Sequence, residues 1–546
     1  MPPAPRRGGS RTSSRSNTPL SRTNSRSSAP ARRPTSSTPP VILAWTSAIK
    51  QALSQKRPRL LHDLLTLKLV QLVSKKPYPA LRKEARELGD RFAIETVIDQ
   101  EMGDDWKSLN SMLVAYLWFL ESADPNMIMR KRPSYKEETM TYFSRMVEYL
   151  KAFNSAFNHP DGAILSFTAT LMAKWACLTA VAVDQLLGDP HMKASKDLVN
   201  PLLRTFNIAL SGERTPYTSP NQTLKKAALV DLGNCLFRLY YKLNETSMIP
   251  TLQDHITAGQ LPLSYPYFRN PTLCTFFYYR GISLLRSCAF ISAHQALQDA
   301  YSICHPGYIS HRRKILIPLL ASSILSGLFP RPELFNRPES PDLAELFLPL
   351  CYAIQKGDFR AFRHAMGIEG PARWKYTWWE ENRLLHILEG RANILLWRSL
   401  IRKIWLLTCS PQQKQQIVRI DDILACAVAL HRKEPHDIGP APSSDPHGVA
   451  DPASWWFQDS GGLRLDRIQV EGIVLSLVDQ KLIRGYMLRQ SGGQSTWLVL
   501  SKTGNPFPSL YQTLLARQPV PGASASRQLA GGGRVVRMNG VKEIGQ

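Results

Sequence analysis

Acidic side chains and cysteine are what this sequence has least of. Asp and Glu number 43 against 68 Lys and Arg, a formal net charge of +25 over 546 residues. An excess of that size points to a polyanionic partner, nucleic acid or an anionic membrane surface, and says nothing about fold. Eight cysteines lie at irregular spacing, and no two form a Cys-x-x-Cys pair. That argues against a zinc ribbon or a disulfide framework. Cys235 in GNCLFRLYY and Cys409 in IWLLTC read instead as core thiols of a reducing compartment. No signal-peptide-like apolar stretch opens the chain. The longest apolar run, Ile315 to Phe329, is too short to cross a bilayer and contains Pro318. The expectation is a soluble, intracellular protein.

Catalytic signatures are missing as well. There is no GxxxxGK(S/T) loop, HExxH, GxSxG or kinase motif. Glu380 and Glu381 are adjacent on a predicted helix and so do not face each other. His431, His436 and His447 with Asp437 are scattered across a loop rich in Pro and Ser, a poor ligand set for a metal. Nothing assembles a nucleophile, a base and an orienting group. The reading is a non-enzymatic chain with no cofactor, no metal and no small-molecule substrate.

What is present is apolar material in helical order. Hydrophobic residues make up 43% of the chain, enough for a sizeable core, and the length suggests about three to four structural units. The charge is uneven. Residues 1–40 hold eight arginines and no acid, residues 517–546 carry a net +4, and residues 41–516 keep the remaining +13. Residues 1–40 are Ser-, Thr-, Arg- and Pro-rich and cannot bury enough surface to offset ordering, so a disordered basic arm is expected there. Arg11-Thr12-Ser13-Ser14 and Thr18-Pro19 look like kinase acceptor contexts. A Gly- and Arg-rich tail is expected over 517–546.

Between about 41 and 410 the apolar pattern is helical: SMLVAYLWFLES at 111–122, LSFTATLMAKWACLTAVAVDQLL at 165–187, LVDLGNCLFRLYYKL at 229–243 and the long run 275–304. NHPDG at 158–162, SGERTPYTSPNQ at 211–222 and PRPELFNRPESPD at 330–342 are breaks between helices. Helix after helix with short breaks suggests a degenerate α-solenoid. In the helix near 394–405, Ile394, Trp397, Ile401, Ile404 and Trp405 form one stripe, with Arg398, Arg402 and Lys403 off it.

The pattern changes after 410. IDDILACAVAL at 420–430 is helical, a Pro- and Ser-rich insert follows at 435–453, and Val470, Ile473, Val474, Leu477 and Val478 mark an amphipathic helix. GYMLRQ, the turn Ser491-Gly492-Gly493-Gln494 and TWLVLS then read as a β-hairpin, with Trp497 and Val499 on one face and Leu498 and Leu500 on the other. Helices followed by a two-stranded wing make a winged helix. The predicted fold is all-α, a helical-repeat solenoid followed by a C-terminal winged helix. Its parts are an N-terminal helical region at 41–224, a helical-repeat part at 225–410 and a winged-helix part at 411–516.

Several stretches sharpen this. CYAIQKGDFRAFRHAM at 351–366 has Gly357, Asp358 and Phe359 at a helix–helix turn. VEGIVLSLVDQKLIRGYM at 470–487 reads as a last helix and first wing strand, and SKTGNPFPSL at 501–510 closes the unit. With CLFRLYYKLNETSMIPTL at 235–252 and HRRKILIPLLASSILSGLFP at 311–330, these resemble the PCI family of proteasome-lid, signalosome and initiation-factor scaffolds. The resemblance covers roughly 225–510. Within that family the chain is similar to the subfamily holding the PCI subunit of the nuclear TREX-type mRNA-export complex and a signalosome-associated paralogue. It implies a nuclear protein, at the nuclear envelope or pore, with a large PCI-containing scaffold subunit and a small acidic Sem/Dss-type protein as partners. A protein-only assembly module of signalosome type is the alternative.

The candidate nucleic-acid contacts are cations around the winged helix: Arg464, Arg467, Lys481, Arg484, Arg489 and Lys502. Such residues can bridge phosphates of RNA or DNA without reading sequence. Lys481 and Arg484 also suit a helix C-terminus. Arg312, Arg313 and Lys314 open a helix, where the macrodipole disfavours cations, and so form a second candidate strip. Tyr376, Trp378 and Trp379 beside Arg373 and Lys375 would either stack bases or pack between helices. The expected scaffold dock comprises Val470, Ile473, Leu477, Tyr486, Leu488, Trp497 and Val499.

Overall fold

A computed structural model describes residues 39–517, apart from 69–70, 73–74, 124–135, 213–216, 220–221, 260, 369–370, 410–415, 432–464 and 490–494. Both expected tails with their kinase contexts, the 435–453 insert, the wing turn at 491–494, His436, Asp437, His447 and Arg464 therefore lie outside the described residues. The described chain contains twenty α-helices and three short strands.

The first half is built from α1 (Pro40–Ser54), α2 (Pro58–Leu64), α3 (Tyr78–Leu88), α4 (Arg91–Met102), α5 (Lys107–Ser122) and α6 (Lys136–Asn158). It continues through α7 (Ser166–Leu187), α8 (Lys193–Ser211), α9 (Leu229–Leu243), α10 (Ile249–Ala258) and α11 (Asn270–Arg286). The second half holds α12 (Phe290–Ile303), α13 (Ile309–Leu325), α14 (Leu343–Lys356), α15 (Phe359–Met366), α16 (Arg373–Glu381) and α17 (Leu385–Thr408). Many helices pack on their chain neighbours, α5 on α6, α8 on α9, α11 on α12 and α14 on α15, the arrangement of a helical repeat. The run 275–304 is two helices, because Ser287 to Ala289 break it and Cys288 takes a left-handed φ of 61°. Residues Pro160–Leu187, a short 3-10 turn leading into α7, are long and apolar enough to cross a membrane. Here Ala169, Met172, Ala173, Ala176 and Ala180 are buried, and α7 packs on α2, α6, α8 and α9 within the first core of the protein.

Two clusters of buried side chains run through the protein. The first extends from Ile42 to Phe276 and the second from Leu285 to Phe507, so the change occurs inside α11. The second includes Phe359, Trp397 and Ile401 together with Val470, Val474, Leu477, Leu498 and Leu500. The winged helix thus has no core of its own.

That winged helix consists of β1 (Ile417–Arg419), α18 (Ile420–His431), α19 (Arg467–Asp479), β2 (Gly485–Arg489), β3 (Thr496–Leu500) and α20 (Leu510–Leu515). Asp466 starts α19 with a capping box, accepting from the Gln469 amide while the Gln469 side chain accepts from its own. The sheet order is β1-β3-β2, antiparallel throughout, with Tyr486 opposite Val499 and Leu488 opposite Trp497. Strand β1 was not evident in the sequence, since three residues are too few to show an alternating pattern.

Helix α17 is held by the α14–α15 turn on one side and by the winged helix on the other. Gly357 ends α14 with φ 67°, and a Cβ there would stand 2.4 Å from the Leu400 nitrogen. Asp358 then caps α15 by accepting from the Ala361 amide at 2.9 Å. Phe359 packs on Trp397 with ring centroids 5.1 Å apart. The next residue, Arg398, donates from Nε to the Leu482 carbonyl at 3.1 Å and from its terminal nitrogen to that of Pro508 at 2.5 Å. Burial, and then the neighbouring Arg402, push the Arg398 pKa down.

Two substitutions test this packing. Leu477→Asp puts an unpaired charge at a site 2% exposed, which costs several kcal/mol. A thermal melt followed by circular dichroism should fall steeply; a melt like the wild type would contradict the placement of α19. Gly357→Ala should lower unfolding free energy in urea by about 2 kcal/mol or more, from the left-handed backbone and the Leu400 contact together. A change within about 0.5 kcal/mol would mean that the turn and α17 are not in close contact.

Candidate nucleic-acid interface

The base of the wing is built by the residues that follow α19. Lys481 takes a left-handed φ of 54° and donates its amide to Val478 at 2.8 Å, while the Leu482 amide reaches Leu477 at 2.9 Å. Leu482 and Ile483 are buried beneath the turn. The Arg484 backbone is held on both sides: its amide donates to the Pro506 carbonyl at 2.8 Å and its carbonyl accepts from Ser501 at 2.9 Å. Its side chain is exposed and lies 3.3 Å from where a Cβ on Gly504 would stand. Lys502 is next to Ser501 and is also exposed.

The Asn505-Pro506-Phe507-Pro508 segment explains why this turn holds its shape. The Asn505 side chain accepts from the Phe507 amide at 2.9 Å, and Phe507 is buried with its ring 5.4 Å from that of Trp405. Pro506 and Pro508 offer their carbonyls to Arg484 and Arg398. Lys481, Arg484 and Lys502 are therefore presented on a fixed turn, and none forms an ion pair with a described residue. Arg402, one turn along α17 from Arg398, is a further exposed cation. The sequence showed it only as a residue off the apolar stripe. Arg489 is exposed too, but five residues along β2 from Arg484, roughly 17 Å away.

Other candidates have internal partners. Arg467 donates to Glu471 at 3.2 Å and to the Thr496 hydroxyl at 3.1 Å, with Asp421 at 3.8 Å. Thr496 closes the set by donating to Glu471 at 2.6 Å. This arginine ties α19 to α18 and β3 and is not a free phosphate contact. Arg312 is corrected in the same way. Its side chain is 12% exposed, and its Nε donates to Glu339, itself 3% exposed, at 3.0 Å. It also donates to the Cys304 carbonyl at 2.8 Å and lies 4.0 Å above the Tyr301 ring. Burial works against charge on Arg312, but the bonds with Glu339 and Tyr301 overcome it and hold its pKa above the ordinary value. Burial likewise opposes charge on Glu339, and the same contacts hold its carboxyl below the usual range. Arg313 donates to the Pro341 carbonyl at 2.6 Å, which leaves Lys314 as the exposed cation of the three. They also lie far from the wing. Helix α13 is roughly 25 Å long, and it is the loop after its opposite end, at Gly327, that meets Leu510 of α20.

The expected dock divides. Val470 and Leu477 are core residues, and Ile473 is half-buried against the same cluster, so these three support a surface and do not form it. Tyr486 and Leu488 are 60% and 48% exposed, and Trp497 and Val499 are half-buried opposite them. With Ile417 and Arg419 of β1 they make up the outer face of the sheet, whose β2 is an edge strand. Ile468 and Leu475, 74% and 57% exposed, are apolar residues on the outer face of α19 that the sequence reading missed. Their seven-residue spacing, off the core stripe, was the available signal. The exposed positions of that helix are Ile468, Gly472, Leu475, Ser476 and Asp479, with no cation among them. Trp379 is buried, 5.0 Å from both Phe347 and Trp378, so the 376–379 aromatics pack between helices.

A scan against protein-family models finds no match. Among curated proteins the chain is similar to a PCI domain-containing protein of Schizosaccharomyces pombe, 26% identical over 420 residues that cover 75% of this chain and 81% of that one. It is similar to PCI domain-containing protein 2 of Xenopus laevis, 24% identical over 409 residues, covering 73% and 84%. It is also similar to the CSN12 homologue of Gibberella zeae, 27% identical over 318 residues, covering 57% of this chain and 61% of that protein. The relatives are PCI domain-containing proteins and CSN12 homologues, and the all-α helical repeat running into a winged helix is the PCI fold that the sequence resemblance implied.

Proposed function

We propose that this chain is a non-catalytic subunit of a nuclear complex that couples transcription to mRNA export. It docks a large PCI-containing scaffold subunit on the outer face of its sheet and grips RNA or DNA phosphates, without sequence specificity, at the base of its wing. A small acidic Sem/Dss-type protein is the second expected partner, and the nuclear pore the expected location. The observation that carries this reading is the pairing of two surfaces on one rigid turn. Lys481, Arg484 and Lys502 are exposed and form no ion pair among the described residues, beside an open apolar face of Tyr486, Leu488, Trp497 and Val499. The absence of cations on the exposed positions of α19 argues for phosphate contact at the wing base and against groove reading.

A second reading is a signalosome-associated, protein-only module. It is favoured by the CSN12 homologues among the relatives and by the apolar Ile468 and Leu475 on the helix that would otherwise face nucleic acid.

The two readings separate by experiment. Replacing Lys481, Arg484 and Lys502 with Glu should reduce the salt slope of duplex binding by roughly 2–3 units, about one per lost phosphate contact. The loss should be alike across sequences, and stability should shift by no more than about 0.5 kcal/mol per site. Polarisation binding at several salt concentrations measures this, and an unchanged slope would favour the protein-only module. The double variant Tyr486→Ser and Leu488→Asp should abolish co-purification with the scaffold while leaving the melting temperature near that of the wild type. Retained co-purification would place the dock elsewhere.

A further inference from the structure

The correction at Arg312 exposes a second feature of the same region. By bonding the Cys304 carbonyl and stacking on Tyr301, Arg312 anchors the start of the loop that leads into α13. Residues 305–308 of that loop and 309–311 of the first turn of α13 are all exposed. The loop is ordered from within: the Gly307 amide donates to His305 Nδ1 at 3.1 Å, the Tyr308 amide to the His305 carbonyl at 3.0 Å, and the His311 and Arg312 amides to the Tyr308 carbonyl, each at 3.0 Å. On it stands Tyr308, 63% exposed. The rings of His305 and His311 lie nearly perpendicular to it, each centroid 5.9 Å away. Lys314 is exposed one turn further, and no Asp or Glu occurs between Asp299 and Glu333.

Two other exposed aromatics lack this setting. Trp374 adjoins Lys375, which is paired with Glu345 at 3.6 Å, and Phe92 adjoins Arg91, which is paired with Glu148 at 2.8 Å. Tyr308 combines a fixed, solvent-facing aromatic ring with an exposed cation nearby, and Glu339, the acid beside Arg312, is buried and paired with that arginine. Stacking on an aromatic ring with a phosphate-binding cation nearby is how unpaired bases are held, and a base inside a duplex cannot offer its face in that way.

We infer that the His305–Tyr308–His311 loop is a stacking site for unpaired bases of single-stranded nucleic acid, with Lys314 on the adjoining phosphate. The inference rests on the reading that this chain binds nucleic acid, and adds to it a preference for single strands over duplex. The site lies at the far end of α13 from the wing, so a single strand held at both would run along the solenoid.

The test uses the full chain, a labelled single-stranded RNA of mixed sequence, a duplex DNA of similar length, and the variants Tyr308→Ala and Tyr308→Trp. Tyr308→Ala should weaken single-strand binding about thirtyfold, the mid-range for one stacked base. Duplex binding should be unchanged, and Tyr308→Trp should bind single strands at least as well as the wild type. Photocrosslinking with 5-iodouridine-substituted RNA should label the peptide containing Tyr308. If Tyr308→Ala binds single strands as the wild type does, or loses duplex and single-strand binding equally, the stacking site is refuted while the wing-base reading stands. If the wild-type chain binds neither probe, both readings fall together.

Discussion

Helix α17 is buried on two sides, and the C-terminal half of the protein depends on that. One side receives the Gly357–Asp358 turn so closely that no Cβ fits against the Leu400 backbone. The other receives the winged helix, with Arg398 bonded to the carbonyls of Leu482 and Pro508 and Trp405 against Phe507. Buried hydrogen bonds from a guanidinium would be costly to leave unmade, so the arginine sets where those two carbonyls must lie. Since Leu482 and Pro508 bracket the wing, their placement also fixes Arg484 and Lys502.

A single core from Leu285 to Phe507 follows from this. A winged helix on a linker would present its cations at varying angles to the solenoid, whereas one sharing a core presents them at a constant angle. The cations then sort by whether the fold uses them. Arg312, Arg398 and Arg467 each meet internal acceptors and hold loops or helices in place. Lys481, Arg484 and Lys502 have no such partner among the described residues and face solvent.

Much of the architecture was legible in the sequence because it rests on local signals. Helix α9 has the limits that its apolar period suggests, Gly357-Asp358 makes the helix–helix turn, and the hairpin faces are as the alternation of Trp497 to Leu500 requires. What could not be read depends on contacts between distant residues. Arg312 looks like a surface cation until Glu339, 27 residues on, is placed beside it. Arg398 falls off an apolar stripe, yet its acceptors are 84 and 110 residues away. Val470 and Leu477 looked like a docking face because an amphipathic stripe does not say which surface covers it. Here the rest of the winged helix and α17 cover it, and the open apolar face is on the sheet.

The central claim is that solenoid and winged helix are one cooperative unit around α17. Native-state hydrogen exchange of the full chain tests it most directly, comparing amides of α17 with those of α19 and β3. The account predicts that the slowest amides in all three open with the same free energy, that of global unfolding. Amides of α19 and β3 that open at a distinctly lower free energy than those of α17 would show a winged helix that unfolds by itself, and would contradict it.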